Sequence, residues 1–459
     1  MKRIDILPDE VLLVIFGHYV DELQRSKKEI EAWQSLVHVC RSWRRVVFGS
    51  PHRLDLQLVC TPATPAVDTL DAWPALPLLI QGTISSTLSV ENIVAALAHR
   101  SRICGIELYG FPGWQLEKVL LAMRQSFPEM VYLLLHCEDE TAPVVPDFFM
   151  GGCAPRLRYL ELERIPFPGL PKLLLSAIHL IELHLSIIPH SGYISPEAMV
   201  SCLSMLTSLE TLSLQFQSPR SHPDWEGQPP PPRTRSVLPA LTYLRFKGVS
   251  EYLEDLVARI DAPRLNGLDV TFFNQIDFDT PLLPQFICRT PTFKTPNEAS
   301  VFFHDSAVSV TLLSQTAIYE GPEIAISCRE SDWQLSSLAQ VCASSVPLLS
   351  TVEKLYIQSV PWPGPWKNGI EITQWLEFLR SFTAVKFLHI DGELASITST
   401  LQELAGRMTE VLPTLQNINI STMTSSTKVI RGARFTGVSR SSKPRFERTF
   451  PRNSSHASI

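Results

Sequence analysis

Side chains that could carry out covalent or metal chemistry are scattered along this sequence. None of the nine cysteines belongs to a Cys-x-x-Cys pair, the spacing common in zinc sites. His38 stands two residues from Cys40, but side chains two apart on a helix point in different directions, and apolar surroundings raise a thiol pKa. No glycine-rich phosphate loop, HExxH or GxSxG sequence occurs. We therefore expect no enzyme activity of the chain itself, no metal ligand and no cofactor.

Composition predicts a folded globular chain that leans apolar. The 459 residues are 45% hydrophobic and 19% charged, enough for a large core and two or three domains. The sequence has no uninterrupted apolar run of about 18 residues, the length that a membrane span needs, so we predict no span. Nine scattered cysteines are typical of reduced thiols in the cytoplasm or nucleus. Residues 421–459 carry +7, so the rest carries −13 of the total −6. An acidic body disfavours nucleic acid as a partner.

The first fifty residues are unusually apolar for their length. Pro8 suits the first position of a helix, and Asp9 and Glu10 follow in its first turn, where negative charge is favourable. Two ridges with a spacing of four residues then run along one helix: Val11, Ile15 and Tyr19 form the first, and Leu12 and Phe16 the second. An ordinary surface helix needs one apolar stripe.

A second apolar run extends from Trp33 to Phe48, and Pro51 ends it. A segment of roughly 50 residues buries only about 60% of the surface that it exposes when unfolded. Apolar side chains that the segment cannot bury by itself predict a surface that another protein covers. The alternative is a helical hairpin that packs only on its own downstream chain.

The residues LPDE at 7–10, the Ile15–Phe16 pair and VCRSW at 39–43 resemble the F-box. The resemblance covers roughly residues 4–51, about a ninth of the chain. The stretch from Gly17 to Ala32 departs from that family because it is several residues longer and charged.

The resemblance implies that these residues dock on a Skp-type adaptor, which joins F-box proteins to the cullin and RING subunits of a ubiquitin ligase. Leu7 and Pro8 would enter an adaptor groove, and Ile15, Phe16 and Trp43 would be the large anchors. The full set of predicted adaptor contacts is Leu7, Pro8, Glu10, Val11, Ile15, Phe16, Leu36, Val39, Cys40 and Trp43.

A degenerate repeat, apolar-x-x-apolar-x-apolar, fills the middle of the chain. Successive units begin 23 to 33 residues from each other, except for one longer gap between Leu265 and Val352. The units begin at Ile103, Met130, Leu157, Leu180, Leu209, Leu241, Leu265, Val352, Val385 and Leu415. Leucine-rich repeats have this pattern at about 20–29 residues. With helical patterns between the units, the sequence predicts an α/β fold in which a helical F-box precedes an irregular, leucine-rich-repeat-like, right-handed solenoid with a parallel sheet. The alternative is an ordinary α/β domain with leucine-rich strands.

The domain boundaries follow from these patterns. We predict an F-box at 1–60, a proline-rich linker with one helix at 61–100, the repeat domain at 101–420 and a disordered basic tail at 421–459. Between the units at Leu265 and Val352 we expect short strands at 299–304, 307–313 and 323–328 instead of full strand–helix units. The proline-rich stretch 218–239 is either a solvated insertion or a ligand for a proline-binding domain, and the tail could serve nuclear import or phosphorylation.

Residues between the paired leucines should line an open face of the sheet. The residues predicted there to bind a protein substrate are Tyr159, Glu161, His184, Tyr243, Arg245, Tyr356 and His389, and the alternative is a solvated strand face. The resemblance to the F-box implies that the chain is a substrate-recognition subunit of an SCF-type cullin–RING ubiquitin ligase. Two rivals stay open: a scaffold that binds the adaptor without directing degradation, and an enzyme, which would need a buried polar cluster that the sequence does not show.

Overall fold

The computed structural model describes thirteen stretches of the chain. These are residues 7–25, 33–51, 53–54, 56–83, 90–140, 142–219, 235–276, 278–293, 295–314, 321–328, 331–359, 372–391 and 411–421. The chain divides into two compact units, Met1–Met423 and Thr424–Ile459, and all the described residues lie in the first.

The described residues form a mixed α/β structure. The helices are α1 (Asp9–Arg25), α2 (Trp33–Val37), α3 (Arg41–Gly49), α4 (Ala66–Ala72), α5 (Val90–Leu97), α6 (Gly113–Ala122), α7 (Leu170–Leu174), α8 (Pro196–Leu203), α9 (Ser250–Arg259), α10 (Leu282–Arg289), α11 (Ser331–Ser344), α12 (Val346–Leu349) and α13 (Ile372–Leu379). Short 3₁₀ turns occur at Phe149–Gly152 and His190–Gly192.

Most of the strands belong to one large sheet. The strands are β1 (Leu58–Cys60), β2 (Leu78–Thr83), β3 (Ile103–Phe111), β4 (Tyr132–Cys137), β5 (Tyr159–Glu163), β6 (Glu182–Ile188), β7 (Thr211–Phe216), β8 (Ser236–Val237), β9 (Tyr243–Gly248), β10 (Ile260–Asp261), β11 (Gly267–Phe273), β12 (Glu298–Phe303), β13 (Val308–Leu313), β14 (Glu323–Ser327), β15 (Lys354–Ser359), β16 (Phe387–Asp391) and β17 (Asn417–Ser421). The short strands β8 and β10 pair with each other in a separate two-stranded sheet.

The large sheet has fifteen strands within the described residues. Its order is β1-β2-β3-β4-β5-β6-β7-β9-β11-β14-β13-β12-β15-β16-β17. Only β13 runs antiparallel to its neighbours in these described strands; every other pairing is parallel. The sheet is therefore mostly parallel, and sequential strands are adjacent except between β11 and β15.

Rows of leucines in register build the core. Leu160 pairs with Leu183, Leu183 with Leu212, and Leu212 with Leu244, and all four are fully buried. Side chains alternate between the two faces of a strand, so the residues between these leucines point to the opposite face, where most are only half-buried. Consecutive helices such as α5 and α6, α8 and α9, and α9 and α10 pack side by side. The helices thus cover one face of the sheet and leave the other partly open.

The interval between Leu265 and Val352 contains the irregularity that the sequence predicted. The strands there lie at 298–303, 308–313 and 323–327, which confirms three short strands in place of strand–helix units. Their spatial order is reversed, because β14 pairs with β11 and β12 pairs with β15. The sequence did not predict this reversal.

The sheet begins earlier than the boundary predicted at residue 101. Strand β2 and helices α4 and α5 lie within 61–100, the stretch expected to be a linker with one helix, and β1 and β2 form the first edge of the large sheet. Pro62, Pro65, Pro74 and Pro77 border these short elements. Because prolines are typical of turns, the sequence pattern predicted a linker there. Of the predicted tail, only Ser421 lies within the described residues, and residues 220–234 of the proline-rich stretch also fall outside them.

Helix α10 is held by a buried carboxylate from the preceding helix. Glu254 accepts hydrogen bonds from the backbone N–H groups of Leu282 and Leu283, at 2.7 and 2.8 Å. These groups lie in the first turn of α10 and have no partner inside the helix. Burial raises the pKa of Glu254 to about 7, although the two N–H groups act in the opposite direction.

We predict that this carboxylate makes stability depend on pH. A folded-state pKa of about 7 lies above the ordinary unfolded value, so its contribution is fully present below about pH 4.3 and is lost as pH rises through about 7. Between pH 5 and pH 8, wild type should lose about 2 kcal/mol of unfolding free energy from this group, and Glu254→Gln should lack that component. Denaturant unfolding at both pH values measures it. The exposed Glu117→Gln change should leave the wild-type slope intact, and identical slopes for wild type and Glu254→Gln would refute the assignment.

Candidate functional site

Helix α1 begins at Asp9, one residue after the first helical position predicted at Pro8. The backbone carbonyl of Pro8 accepts hydrogen bonds from Val11 N–H at 3.0 Å and Leu12 N–H at 3.1 Å. Asp9 and Glu10 lie in the first turn, where their charges favour the positive end of the helix dipole. The helix continues to Arg25 and so takes up part of the long charged stretch after Phe16; residues 26–32 lie outside the described residues.

The two ridges of α1 have opposite environments. The ridge that contains Leu12 and Phe16 is buried, at 3% and 1% exposure. The other ridge is exposed, and we name its members the amino-terminal apolar ridge: Leu7, Val11, Val14, Ile15 and Tyr19, at 38–50% exposure. Removing large apolar side chains from water lowers the free energy. This ridge is therefore a surface on which a protein partner could bind favourably.

The buried side of the hairpin packs on its own chain through aromatic rings. Phe16 lies against Trp43 with ring centroids 4.6 Å apart. Trp33 contacts Phe48 at 6.0 Å and Trp73 at 5.3 Å, and its indole N–H donates to the Gln57 carbonyl at 3.0 Å. These contacts fix the hairpin to the residues around α4 and leave the amino-terminal apolar ridge uncovered.

The predicted adaptor contacts divide into three groups by burial. Leu7, Pro8, Glu10, Val11, Ile15 and Val39 are exposed, Cys40 and Trp43 are half-buried, and Phe16 and Leu36 are buried. Phe16 and Leu36 therefore shape the hairpin from inside and do not reach its surface. Cys40 caps α3, since its Sγ accepts a hydrogen bond from Trp43 N–H at 3.5 Å. Val14 joins the exposed set, and its spacing of three from Val11 was the signal that could have included it.

Charged side chains cluster at several places on the open face of the sheet. On β9 and β11, the Arg245 guanidinium donates to Asp269 Oδ2 at 2.8 Å and to the Tyr243 hydroxyl at 2.9 Å. Burial disfavours the charge of Arg245, but Asp269 and Tyr243 outweigh it and the pKa of Arg245 is raised. The positive charge is therefore compensated within the sheet.

The second cluster is aromatic and acidic. The rings of Tyr132 and Tyr159 are stacked, with centroids 4.4 Å apart and planes 17° apart. The Tyr159 hydroxyl donates to Glu161 Oε2, and His184 Nε2 lies 3.1 Å from Glu182 Oε2. Burial raises the pKa of Tyr159, and the negative charge of Glu161 raises it further.

The seven predicted substrate contacts fall into three places on the sheet. Tyr159, Glu161 and His184 lie together, as do Tyr243 and Arg245. Tyr356 and His389 lie on β15 and β16 with ring centroids 5.7 Å apart. Five strand steps separate β9 from β15, which is roughly 24 Å at about 4.8 Å per strand.

The sequence reasoning missed Tyr132 and Glu107, which belong to the aromatic and acidic cluster. Tyr132 pairs with Tyr159 across β4 and β5, and Glu107 stands at the same level two strands before Glu161. Both occupy the middle positions of recognised repeat units, so the same alternation that selected Tyr159 could have found them.

No protein-family model matches this chain, and no curated protein matches it either. Within the thirteen described stretches, no group of three or more His, Cys, Asp and Glu side chains could hold a metal ion, and no helix is long and apolar enough to cross a membrane.

The position of Tyr243 depends on a glycine. A Cβ at Gly267 would clash with Tyr243 Cδ2, since it would lie closer to that atom than side chains pack. We predict that Gly267→Ala displaces the Tyr243 ring, breaks its hydrogen bond with Arg245 and lowers the unfolding free energy by about 1–3 kcal/mol, as overpacking does.

Denaturant unfolding checks this prediction against a matched control. Gly17 lies inside α1 with no atom within 4 Å of its added Cβ, so Gly17→Ala should raise stability by about 0.5–1 kcal/mol. If Gly267→Ala leaves stability unchanged or raises it as Gly17→Ala does, the Gly267 contact has no energetic weight.

Proposed function

We propose that this chain is the substrate-recognition subunit of an SCF-type cullin–RING ubiquitin ligase, acting in the cytoplasm or nucleus. Helices α1–α3 form its F-box and bind a Skp-type adaptor, and through it the cullin and RING subunits. The strand–helix succession forms a leucine-rich-repeat-like solenoid, and its open face binds a protein substrate.

The observation that carries this proposal is the amino-terminal apolar ridge. Three large side chains spaced by four, Val11, Ile15 and Tyr19, remain 38–46% exposed, whereas Leu12 and Phe16 on the other side of α1 are buried. Val39, at 59% exposure, adds a further apolar group between α2 and α3. The free energy falls when a partner removes such a surface from water.

The repeat region supports the second half of the proposal. In-register parallel strands joined by helices are the construction of solenoid repeats, which present one continuous face to a ligand. The chain would supply no reacting group. It would hold the substrate near the ubiquitin-bearing partner, and proximity alone lowers the barrier of a bimolecular step by several kcal/mol.

We predict that Ile15→Asp weakens adaptor binding by about 30-fold or more, since an anchor at an interface centre is worth about 2 kcal/mol or more. Leu7→Ala with Pro8→Ala should also weaken it. The measurement is a pull-down of full-length protein with recombinant Skp-type adaptor, followed by a titration. Circular dichroism should be unchanged, because these side chains are exposed.

The matched controls place the same charge at two exposed leucines. Leu121 and Leu175 are 48% and 53% exposed on α6 and beside α7, and Leu121→Asp and Leu175→Asp should leave adaptor binding intact. Wild-type binding by Ile15→Asp would defeat the F-box assignment. If the adaptor complex lacks cullin, or a bound client keeps its level when the chain is deleted, the scaffold function replaces the receptor function.

A further inference from the structure

The layer of helices on the sheet lacks a helix between β4 and β5. The neighbouring connections contain α6, between β3 and β4, and α7, between β5 and β6. The described residues of 138–158, which leave out only residue 141, form no α-helix and contain just the 3₁₀ turn Phe149–Gly152. One side of α6 therefore faces an irregular stretch of chain, residues 142–148, where the neighbouring repeats have a helix.

A groove of about 640 Å³ lies between α6 and this stretch. Three of the side chains that line it are large, apolar and exposed: Trp114 at 59%, Leu121 at 48% and Val144 at 54%. The side of α6 that faces α5 is already covered, because Lys118 Nζ lies 3.3 Å from Glu91 Oε1 on α5. The groove is thus an unfilled place in the helix layer. The side chains that we name the α6 groove are Trp114, Glu117, Leu121, Arg124 and Val144.

The wall of the α6 groove is fixed by its own contacts. Val145 is buried and its N–H donates to the Pro166 carbonyl at 3.0 Å, whereas its neighbour Val144 points outwards. The N–H of Met150 donates to the Met123 carbonyl at 2.7 Å and joins the wall to the end of α6. Because the groove is already formed, a ligand could enter it with little rearrangement of the chain.

The α6 groove has opposite charges at its two ends. Glu117 lies in α6, and Arg124 follows the end of the helix, seven residues later. Asp139 lines the Glu117 end, where its carboxylate accepts a hydrogen bond from Gly113 N–H. Within the described part of the chain, neither Glu117 nor Arg124 has an ion-pair partner. At 1.5 Å per residue, these two positions are roughly 10 Å apart along the axis of α6.

This separation favours a helical ligand. Positions i and i+7 of an α-helix lie on one face about 10 Å apart, whereas same-face positions of an extended chain are about 7 or 13 Å apart. A helix in the groove would place a basic group at Glu117 and an acidic group at Arg124. Its apolar side chains would lie between them, on Trp114 and Leu121. Such a helix would also fill the place that the β4–β5 connection leaves open.

We infer that the α6 groove binds an amphipathic helix of a partner protein, one with a basic and an acidic residue seven positions apart beside its apolar stripe. The inference goes beyond the proposed function and does not depend on it. The groove is built from other residues than the amino-terminal apolar ridge, and it lies on the helix-covered side of the sheet.

The test uses the full-length chain and a fluorescein-labelled helical peptide of about 18 residues, long enough to form a helix. Its leucine stripe is flanked by a glutamate and an arginine seven positions apart. Fluorescence anisotropy should show saturable binding, and a scrambled peptide or one with a central proline should not bind. Leu121→Asp should weaken binding at least tenfold. Met205→Asp places the same charge at an apolar side chain of similar exposure after α8 and should change the dissociation constant less than twofold.

The two charges give a measurement that unspecific apolar adhesion would not affect. Wild type should bind the mixed-charge peptide at least threefold more tightly than peptides with two glutamates or two arginines. Glu117→Arg should reverse this preference in favour of the two glutamates, and Arg124→Glu in favour of the two arginines. Circular dichroism should be unchanged in both variants, since the side chains are exposed.

Several results would overturn the inference: no saturable binding to wild type, unchanged binding to Leu121→Asp, or one charge preference shared by all variants. Loss of binding through Ile15→Asp would also overturn it, because the peptide would then occupy the amino-terminal apolar ridge. A wild-type dimer in analytical ultracentrifugation that Leu121→Asp dissociates would assign the α6 groove to a second copy of the chain instead. Failure of the adaptor pull-down would defeat the ligase proposal alone and would leave this inference standing.

Discussion

The structure depends on rows of buried apolar side chains that stack in register from strand to strand. Each strand has only five to nine residues over most of the sheet, too few to be stable alone, and its two inward leucines are covered by the neighbouring strands and the helices. Leu160, Leu183 and Leu212 are all fully buried at one level. Because a shift of one residue would expose this row, the core also fixes the positions of the side chains on the opposite face. The stacked pair of Tyr132 and Tyr159 follows from that register.

The reversed segment β12–β14 obeys the same constraint. β14 continues the buried row of β11 through Val270 and Ile324, and β12 continues it into β15 through Val301 and Ile357. β13 is antiparallel to both of its neighbours, so two reversals restore the original strand direction. The sheet thus accepts a local change of connection without breaking its core, since what the core requires is apolar side chains at one level and not a particular chain order.

Local patterns in the sequence could predict the features that depend on residues close together in the chain. The period of two located the strands, and the spacing of four separated the two ridges of α1. The start of the sheet was harder, because Leu58–Cys60 is only three residues long and prolines border the elements that follow. The pairing of β14 with β11 joins residues more than fifty positions apart, and no short pattern encodes it. The burial of Phe16 and Leu36 could not be predicted either, because it depends on which side of the hairpin packs towards Trp43 and Trp73, and that is decided by tertiary structure.

The junction between hairpin and sheet decides whether the two can move separately. The sequence predicted a proline-rich linker with one helix between them, at 61–100. The structure has a packed junction there instead. Trp33 packs between Phe48 and Trp73, and one continuous hydrophobic core extends from Leu12 on α1 to Leu412 near β17. The amino-terminal apolar ridge and the open face of the sheet are therefore carried by the same packed body, and bending between them would have to open aromatic contacts. Rigidity here comes from buried area, which a flexible linker of any composition would not provide.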